Sequence, residues 1–175
     1  MTLDRLWAGW RSEYLAGVTA DETSPPEDDG EGSACVFCRI LESGQPDSTT
    51  YVVWRGERTA AILNAYPYTS GHVLVLPVRH VGELEDLDAS ESSDLWSVVT
   101  DAVRALKAAY SPEGINLGAN LGRGAGAGIP GHFHVHALPR WAGDTNFMTT
   151  VAEARVMPET LSATWQKLRA AWPPK

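Results

Sequence analysis

The run YVVWRGERTAAILNAYPYTSGHVLVLP, residues 51–77, decides the fold. It holds three short apolar stretches, at residues 51–54, 59–64 and 72–76. Turn signals separate them at Arg55-Gly56-Glu57 and between Pro67 and Gly71, so the segment predicts three strands joined by tight turns. Working outward, Asp88 and Glu91 form a capping-box pattern that starts a helix. Behind it Leu95, Val98, Val99, Ala102, Leu106 and Tyr110 recur at helical spacing and carry the helix to about Tyr110. Residues 114–121 read as a further strand, 122–131 as a glycine-rich loop, and 132–138 as another strand. Leu161, Trp165, Leu168 and Trp172 share one face of a C-terminal helix after Pro158. At the other end, Leu3, Leu6, Trp7, Trp10, Tyr14 and Leu15 suit a short amphipathic helix within residues 1–18. Strands linked by short turns, with one long helix inserted and helices at the termini, imply an antiparallel α+β fold.

At 175 residues the chain suits one domain, assigned to residues 34–175, preceded by an acidic flexible linker at 19–33. A hydrophobic share of 43% and a charged share of 21% fit an ordinary globular protein. The net charge of −8 argues against DNA or RNA as a partner, because nucleic acid calls for a basic face. A small anionic ligand remains compatible, since it needs only local positive potential and backbone N–H groups. No apolar run approaches the roughly 20 residues of a membrane-spanning helix, so no membrane partner is expected. Residues 1–17 lack the apolar centre of a secretion signal, and the cytoplasm is the expected location. Cys35 and Cys38, the two cysteines, stand as C-x-x-C. Without an export signal a structural disulfide is a poor default. A structural metal site, a redox pair and two buried small side chains all stay open.

All five histidines fall in two short segments. His72 and His80 bracket the apolar run at 73–77, while His132, His134 and His136 alternate in His-Phe-His-Val-His. Alternate residues of a strand share a face, so the three rings of the second group project to one side. Such a row makes a poor apolar core, because each ring brings nitrogens that need partners. Incidental histidines on a solvated strand are the plainer alternative, but imidazole is the side chain suited to act near neutral pH. Metal binding is one chemistry open to the row. The other is attack of a neutral imidazole nitrogen on phosphorus, with its neighbours orienting it and protonating the leaving group. The preceding loop, Asn120-Leu-Gly-Arg-Gly-Ala-Gly-Ala-Gly-Ile-Pro-Gly131, favours the second, since backbone without Cβ can approach and cradle an anion.

These motifs carry a family resemblance. Gly126-Ala-Gly-Ile-Pro-Gly-His-Phe-His-Val-His-Ala-Leu-Pro-Arg-Trp141 resembles the histidine-triad (HIT) signature. Asn64-Ala-Tyr-Pro-Tyr-Thr-Ser-Gly-His-Val-Leu-Val-Leu-Pro77 resembles that family's nucleoside-contacting segment. Leu6-Trp-Ala-Gly-Trp-Arg-Ser-Glu-Tyr-Leu15, Cys35-Val-Phe-Cys38 and Gly143-Asp-Thr-Asn-Phe-Met148 are similar to a bacterial and archaeal branch. That branch resembles diadenosine tetraphosphate phosphorylases and Fhit-like dinucleoside polyphosphate hydrolases. The resemblance implies a HIT-like sheet and makes His134 the nucleophile that becomes a nucleotidyl-imidazole. By the same resemblance His132 opens the triad, and His136 contacts the phosphate or leaving group and helps position the nucleophile. His72 then supports the triad or lies near the nucleotide, and Asn64 hydrogen-bonds the ribose. Asn120 and the backbone of Gly126, Gly128 and Gly131 hold the phosphates. Arg123 and Arg140 are phosphate partners or solvated surface arginines. Many hydrolase members carry Gln where this chain has Gly128, which leaves water or inorganic phosphate open as the acceptor.

The resemblance further implies a structural zinc held by Cys35, Cys38, His80 and His132. A closed shell of four ligands would fix His132 and the strand bearing His134. A divalent cation accompanying the polyphosphate substrate and a homodimer or larger homo-oligomer are implied in the same way. Two other functions stand beside this one. A nucleoside phosphoramidate hydrolase would keep the fold, but the Leu-Trp-x-x-Trp-Arg start and Pro-Arg-Trp ending speak against that branch. A non-catalytic nucleotide-binding regulator would have no need of three aligned histidines.

Overall fold

The structure, a computed structural model, describes residues 35–144 and 157–174. The helix expected within 1–18, the acidic stretch at 19–33 and the motif beyond Asp144 lie outside the described residues. Five strands form one sheet: β1 (Val52–Arg55), β2 (Thr59–Leu63), β3 (Val73–Pro77), β4 (Gly114–Gly118) and β5 (Val135–Arg140). Their order is β1-β2-β3-β5-β4, and every neighbouring pair is antiparallel. Helices α1 (Val36–Glu42), α2 (Asp47–Thr50), α3 (Ala89–Tyr110) and α4 (Leu161–Ala171), with 3₁₀ turns at Leu84–Asp86 and Arg123–Ala125, complete the described elements. The fold is therefore antiparallel α+β. None of these helices is long and apolar enough to cross a membrane.

Strand alternation divides the sheet between two cores. Val73, Val75, Val135 and Ala137 point to one face, where Leu95, Val98, Ala102 and Leu106 of α3 and Leu168 of α4 cover them. Leu74 and Leu76 point to the other face and pack with Val52, Ile62 and Phe37 of α1. The capping box starts α3: the Asp88 carboxylate accepts the Glu91 N–H at 2.8 Å, and Glu91 accepts the Asp88 N–H at 3.0 Å. Thr160 caps α4 by accepting the Ala163 N–H at 3.2 Å. Two side chains of α4 then close the outer edge of β1. Trp165 Nε1 donates to the Val52 carbonyl at 2.8 Å, and Arg169 to the Val53 carbonyl at 2.7 Å.

The chain enters β3 through Gly71, whose φ of +85° suits glycine alone. A Cβ there would also stand 3.0 to 3.1 Å from Pro139, Tyr110 and Leu106. Where the sequence places a strand at 132–138, β5 runs Val135–Arg140. Its ladder with β3 starts at Val75↔Val135, because the chain before it is engaged elsewhere. The Phe133 N–H donates to the Val81 carbonyl at 2.7 Å, and the His132 ring takes the Pro77 carbonyl at 2.9 Å. β4 likewise ends at Gly118, opposite His136, rather than at Leu121. Beyond it the glycine-rich loop turns away through Gly122, at φ +73°.

Candidate functional site

The antiparallel register Leu74↔His136 sets His134 and His136 of the β5 approach beside His72 at the start of β3. All three rings are buried, at 7%, 8% and 1% exposure. Phe37 of α1 packs edge-on against His132 and His134, with ring centroids 5.5 and 5.2 Å apart. Tyr68 stacks against His136 at 6.0 Å and lies 4.7 Å from the His72 ring. His134 and His136 are neighbours, with centroids 4.9 Å apart.

One fixed donor orders the protons of this cluster. The backbone N–H of Tyr68 donates to His72 Nδ1 at 3.1 Å, so that nitrogen carries a lone pair and the proton sits on Nε2. His72 Nε2–H therefore donates to His136 Nδ1 at 2.8 Å. The remaining His136 proton then lies on Nε2, which is buried and has no partner among the described residues. His134 is set the opposite way. Its Nδ1–H donates to the His132 carbonyl at 2.8 Å, leaving Nε2 with the lone pair. Burial pushes the His134 imidazole down from its ordinary value, against the pull of that carbonyl. Burial and the adjacent His134 together push His136 down to about 4. Both rings are neutral at pH 7, so a nucleophilic nitrogen stands beside a proton donor.

His132 turns to a second cluster. Its Nδ1 lies 3.4 Å from Cys35 Sγ and 3.6 Å from Cys38 Sγ, while His80 Nδ1 lies 3.4 Å from Cys38 Sγ. The four donor atoms fall within 4.8 Å of one another, and the cysteines are not joined as a disulfide. Tetrahedral zinc with bonds of roughly 2.3 Å to sulfur and 2.1 Å to nitrogen needs S···N separations of about 3.6 Å. The donor set fits that geometry. His132 Nε2–H donates to the Pro77 carbonyl, which leaves Nδ1 as the ligand nitrogen and orients the ring.

The glycine-rich loop reaches the site through Asn120 and the segment before His132. Asn120 Nδ2 donates to the Gly126 carbonyl at 3.3 Å and ties the start of the loop to its middle. Gly126 has φ +92°, and a Cβ at Gly122, Gly124, Gly126 or Gly128 would meet nothing within 4 Å. The loop backbone thus faces open space at these four glycines. None of the backbone bonds that close the loop uses the N–H of Gly128 or Gly131. Arg123 is exposed in the 3₁₀ turn Arg123–Ala125. Arg140 is engaged by other partners. It lies six residues along β5 from His134, about 20 Å at the rise of a strand. Its guanidinium grips Asp144 at 2.6 and 2.8 Å and Asn116 at 2.8 Å. Asn64 sits at the His72 end, where its Oδ1 accepts the Tyr66 N–H at 2.9 Å and its Nδ2 lies 3.3 Å from His72 Nδ1. Tyr68 has no sequence signature for its part, because it acts through a backbone N–H and a stacked ring.

Comparison with known proteins places these features. The HIT domain profile matches residues 45–143. A Mycobacterium tuberculosis protein described as AP-4-A phosphorylase is 40% identical over 171 residues, covering 97% of this chain and 85% of that protein. An asymmetrical bis(5'-nucleosyl)-tetraphosphatase of Schizosaccharomyces pombe is 39% identical over 93 residues, covering 53% of this chain and 50% of that protein. Among solved structures, a zinc-bound histidine triad family protein from Mycobacterium smegmatis superposes with a TM-score of 0.65 at 29% identity. That likeness covers 80% of this chain and 94% of the other.

Proposed function

The chain belongs to the HIT domain family, and from that premise we propose that it cleaves dinucleoside polyphosphates such as diadenosine tetraphosphate through a nucleotidyl-His134 adduct. Its kinship with a phosphorylase and a tetraphosphatase makes it an enzyme of dinucleoside polyphosphate processing. The observation that carries the covalent route is the pair of opposed nitrogens, a lone pair at His134 Nε2 beside a buried N–H at His136 Nε2.

In this reading the ribose meets Asn64, and the phosphates lie along the open backbone from Gly126 to Gly131, with Asn120 bracing the loop and Arg123 within its reach. His134 Nε2 gives its electron pair to the α-phosphorus, and the bond from phosphorus to the bridging oxygen breaks. The departing nucleotide takes that electron pair as a phosphate anion, and the His136 Nε2–H hydrogen-bonds the oxygen as its charge develops. The charge of the imidazolium formed at His134 is spread toward the His132 carbonyl through Nδ1–H. The acceptor, phosphate or water, attacks phosphorus, the bond to His134 Nε2 breaks with its electron pair returning to the ring, and the acceptor's proton passes to solvent. Two inversions predict retention of configuration at phosphorus. Zinc bound by Cys35, Cys38, His80 and His132 supplies a structural cross-link between α1 and the chains leading out of β3 and into β5. A divalent cation would enter with the polyphosphate itself.

Product analysis with diadenosine tetraphosphate, with and without inorganic phosphate, tests the proposal. ADP plus ATP formed only with phosphate makes the enzyme a phosphorylase. AMP plus ATP formed without phosphate makes it a hydrolase. His134→Ala is expected to lower turnover by at least ~10³-fold while the protein stays folded. Absence of cleavage under both conditions would overturn the reading.

A further inference from the structure

We infer that Asn64 is a positioning residue for the N–H donor of His136 as well as a sugar contact, so that one amide couples ribose recognition to the state of His136. The inference rests on the nucleotide reading above only for its sugar half. Asn64 is oriented without ambiguity, because Oδ1 accepts the Tyr66 N–H at 2.9 Å and the Nδ2 end must therefore face His72. Of the two Nδ2 hydrogens, one points at His72 Nδ1, 3.3 Å away, and the other is left for a hydroxyl. The first hydrogen acts with the Tyr68 N–H to keep His72 Nδ1 unprotonated. That holds the His72 proton on Nε2, which donates to His136 Nδ1 at 2.8 Å and keeps the second His136 proton on Nε2. Through two rings, the amide thus reinforces the Tyr68 N–H in setting which His136 nitrogen presents its N–H. A sugar hydroxyl that accepts the free Nδ2 hydrogen pins the amide and tightens the same arrangement.

Asn64→Asp isolates the effect. The carboxylate keeps the turn by accepting the Tyr66 N–H and can still accept from a ribose hydroxyl, so binding is retained. It cannot donate to His72 Nδ1 and instead draws a proton there. Nitrogen-15 NMR of the histidine rings in the free protein reads this without substrate. The wild type is expected to show His72 unprotonated at Nδ1, and Asn64→Asp to show it protonated. With the dinucleotide, kcat of Asn64→Asp is expected to fall by at least ~10-fold, with KM within about threefold of wild type. The loss in kcat should persist on a 2′,3′-dideoxynucleoside substrate, where no sugar contact remains to be lost. An unchanged His72 spectrum, or a deficit that disappears with the dideoxy substrate, would overturn the inference and leave Asn64 a ribose ligand alone. If the charged variant folds poorly, Asn64→Ala is read instead: Tyr68 then holds Nδ1 alone, the His72 Nδ1 resonance must shift, and a resonance identical to wild type would overturn the inference. Wild-type protein inactive on every dinucleotide would count against the function, while the NMR result would still decide the coupling.

Discussion

His136 has a folded-state value of about 4, below the 6.5 of an ordinary histidine, because burial and the adjacent His134 penalise its charged form. Between those two pH values the unfolded chain binds the proton that the folded site refuses. Stability therefore rises with pH across this window. The contribution is complete above about 6.5 and is lost as pH falls toward 4. Chemical denaturation of the wild type and His136→Gln from pH 4 to 7 checks this, and the variant should show the flatter profile. Equal slopes would mean that His136 is solvated and free to protonate, which would also remove the neutral donor from the proposed mechanism. Glu91 acts in a separate window. The Arg79 guanidinium, at 2.7 Å, and the Asp88 N–H hold its carboxyl down to about 2. What it adds is present above the usual carboxylate range and fades only as the pH falls toward 2.

Turns and helices fix where these rings stand. Gly71 delivers His72 to the site from a left-handed conformation with Leu106, Tyr110 and Pro139 at contact distance. Gly71→Ala adds backbone strain to overpacking and is expected to cost about 2–5 kcal/mol, measured as a lower denaturant midpoint. The candidate metal site of Cys35, Cys38, His80 and His132 joins α1 to the segments after β3 and before β5. Chelation of purified zinc-loaded protein is expected to lower Tm by at least ~5 °C, and Cys35→Ser to abolish stoichiometric zinc. A metal-free protein of unchanged Tm would instead assign the cysteines to plain core packing. Much of this was legible from residues. The capping box and the spacing from Leu95 to Tyr110 are local signals, and α3 follows them to its last residue. The run at 51–77 likewise shows its strands within a residue of their ends. Helix α1 escaped, because its seven residues gain order by packing Phe37 and Cys38 against Leu74 and Ile62, which the local pattern does not reveal. The Cys35, Cys38, His80 and His132 contacts span separations of 42, 94 and 97 residues, so C-x-x-C alone left its alternatives open. For Arg140 the sequence left a phosphate partner or a surface arginine open, because nothing in it says that Asp144 and Asn116 engage the guanidinium.

The two edges of the sheet are treated differently, and that difference bears on assembly. Trp165 and Arg169 occupy carbonyls of β1, with Trp172 stacked on Trp54 at 6.4 Å, so that edge is closed. β4 holds the opposite edge, and among the described residues no strand pairs with its outer side. Its sequence, Gly-Ile-Asn-Leu-Gly, carries no charge or proline of the kind that blunts an exposed edge. Leu117 and Leu121 are 48% and 46% exposed beside it. In a chain of net charge −8, like molecules repel over most of their surface, and this neutral strand is where a second copy meets the least repulsion. Pairing β4 with β4 about a twofold axis would continue the sheet across both copies and bury the leucines. The expected outcome is a dimer by sedimentation equilibrium for the wild type, shifted to monomer by Leu117→Lys. A monomeric wild type, or a dimer indifferent to the substitution, would place the interface elsewhere or remove it. Because Gly118 pairs with His136, an interface on β4 lies one strand from the proton donor. Loss of the dimer should therefore lower activity through a looser β5, whereas a monomer of full activity would show that each site is held by its own sheet alone.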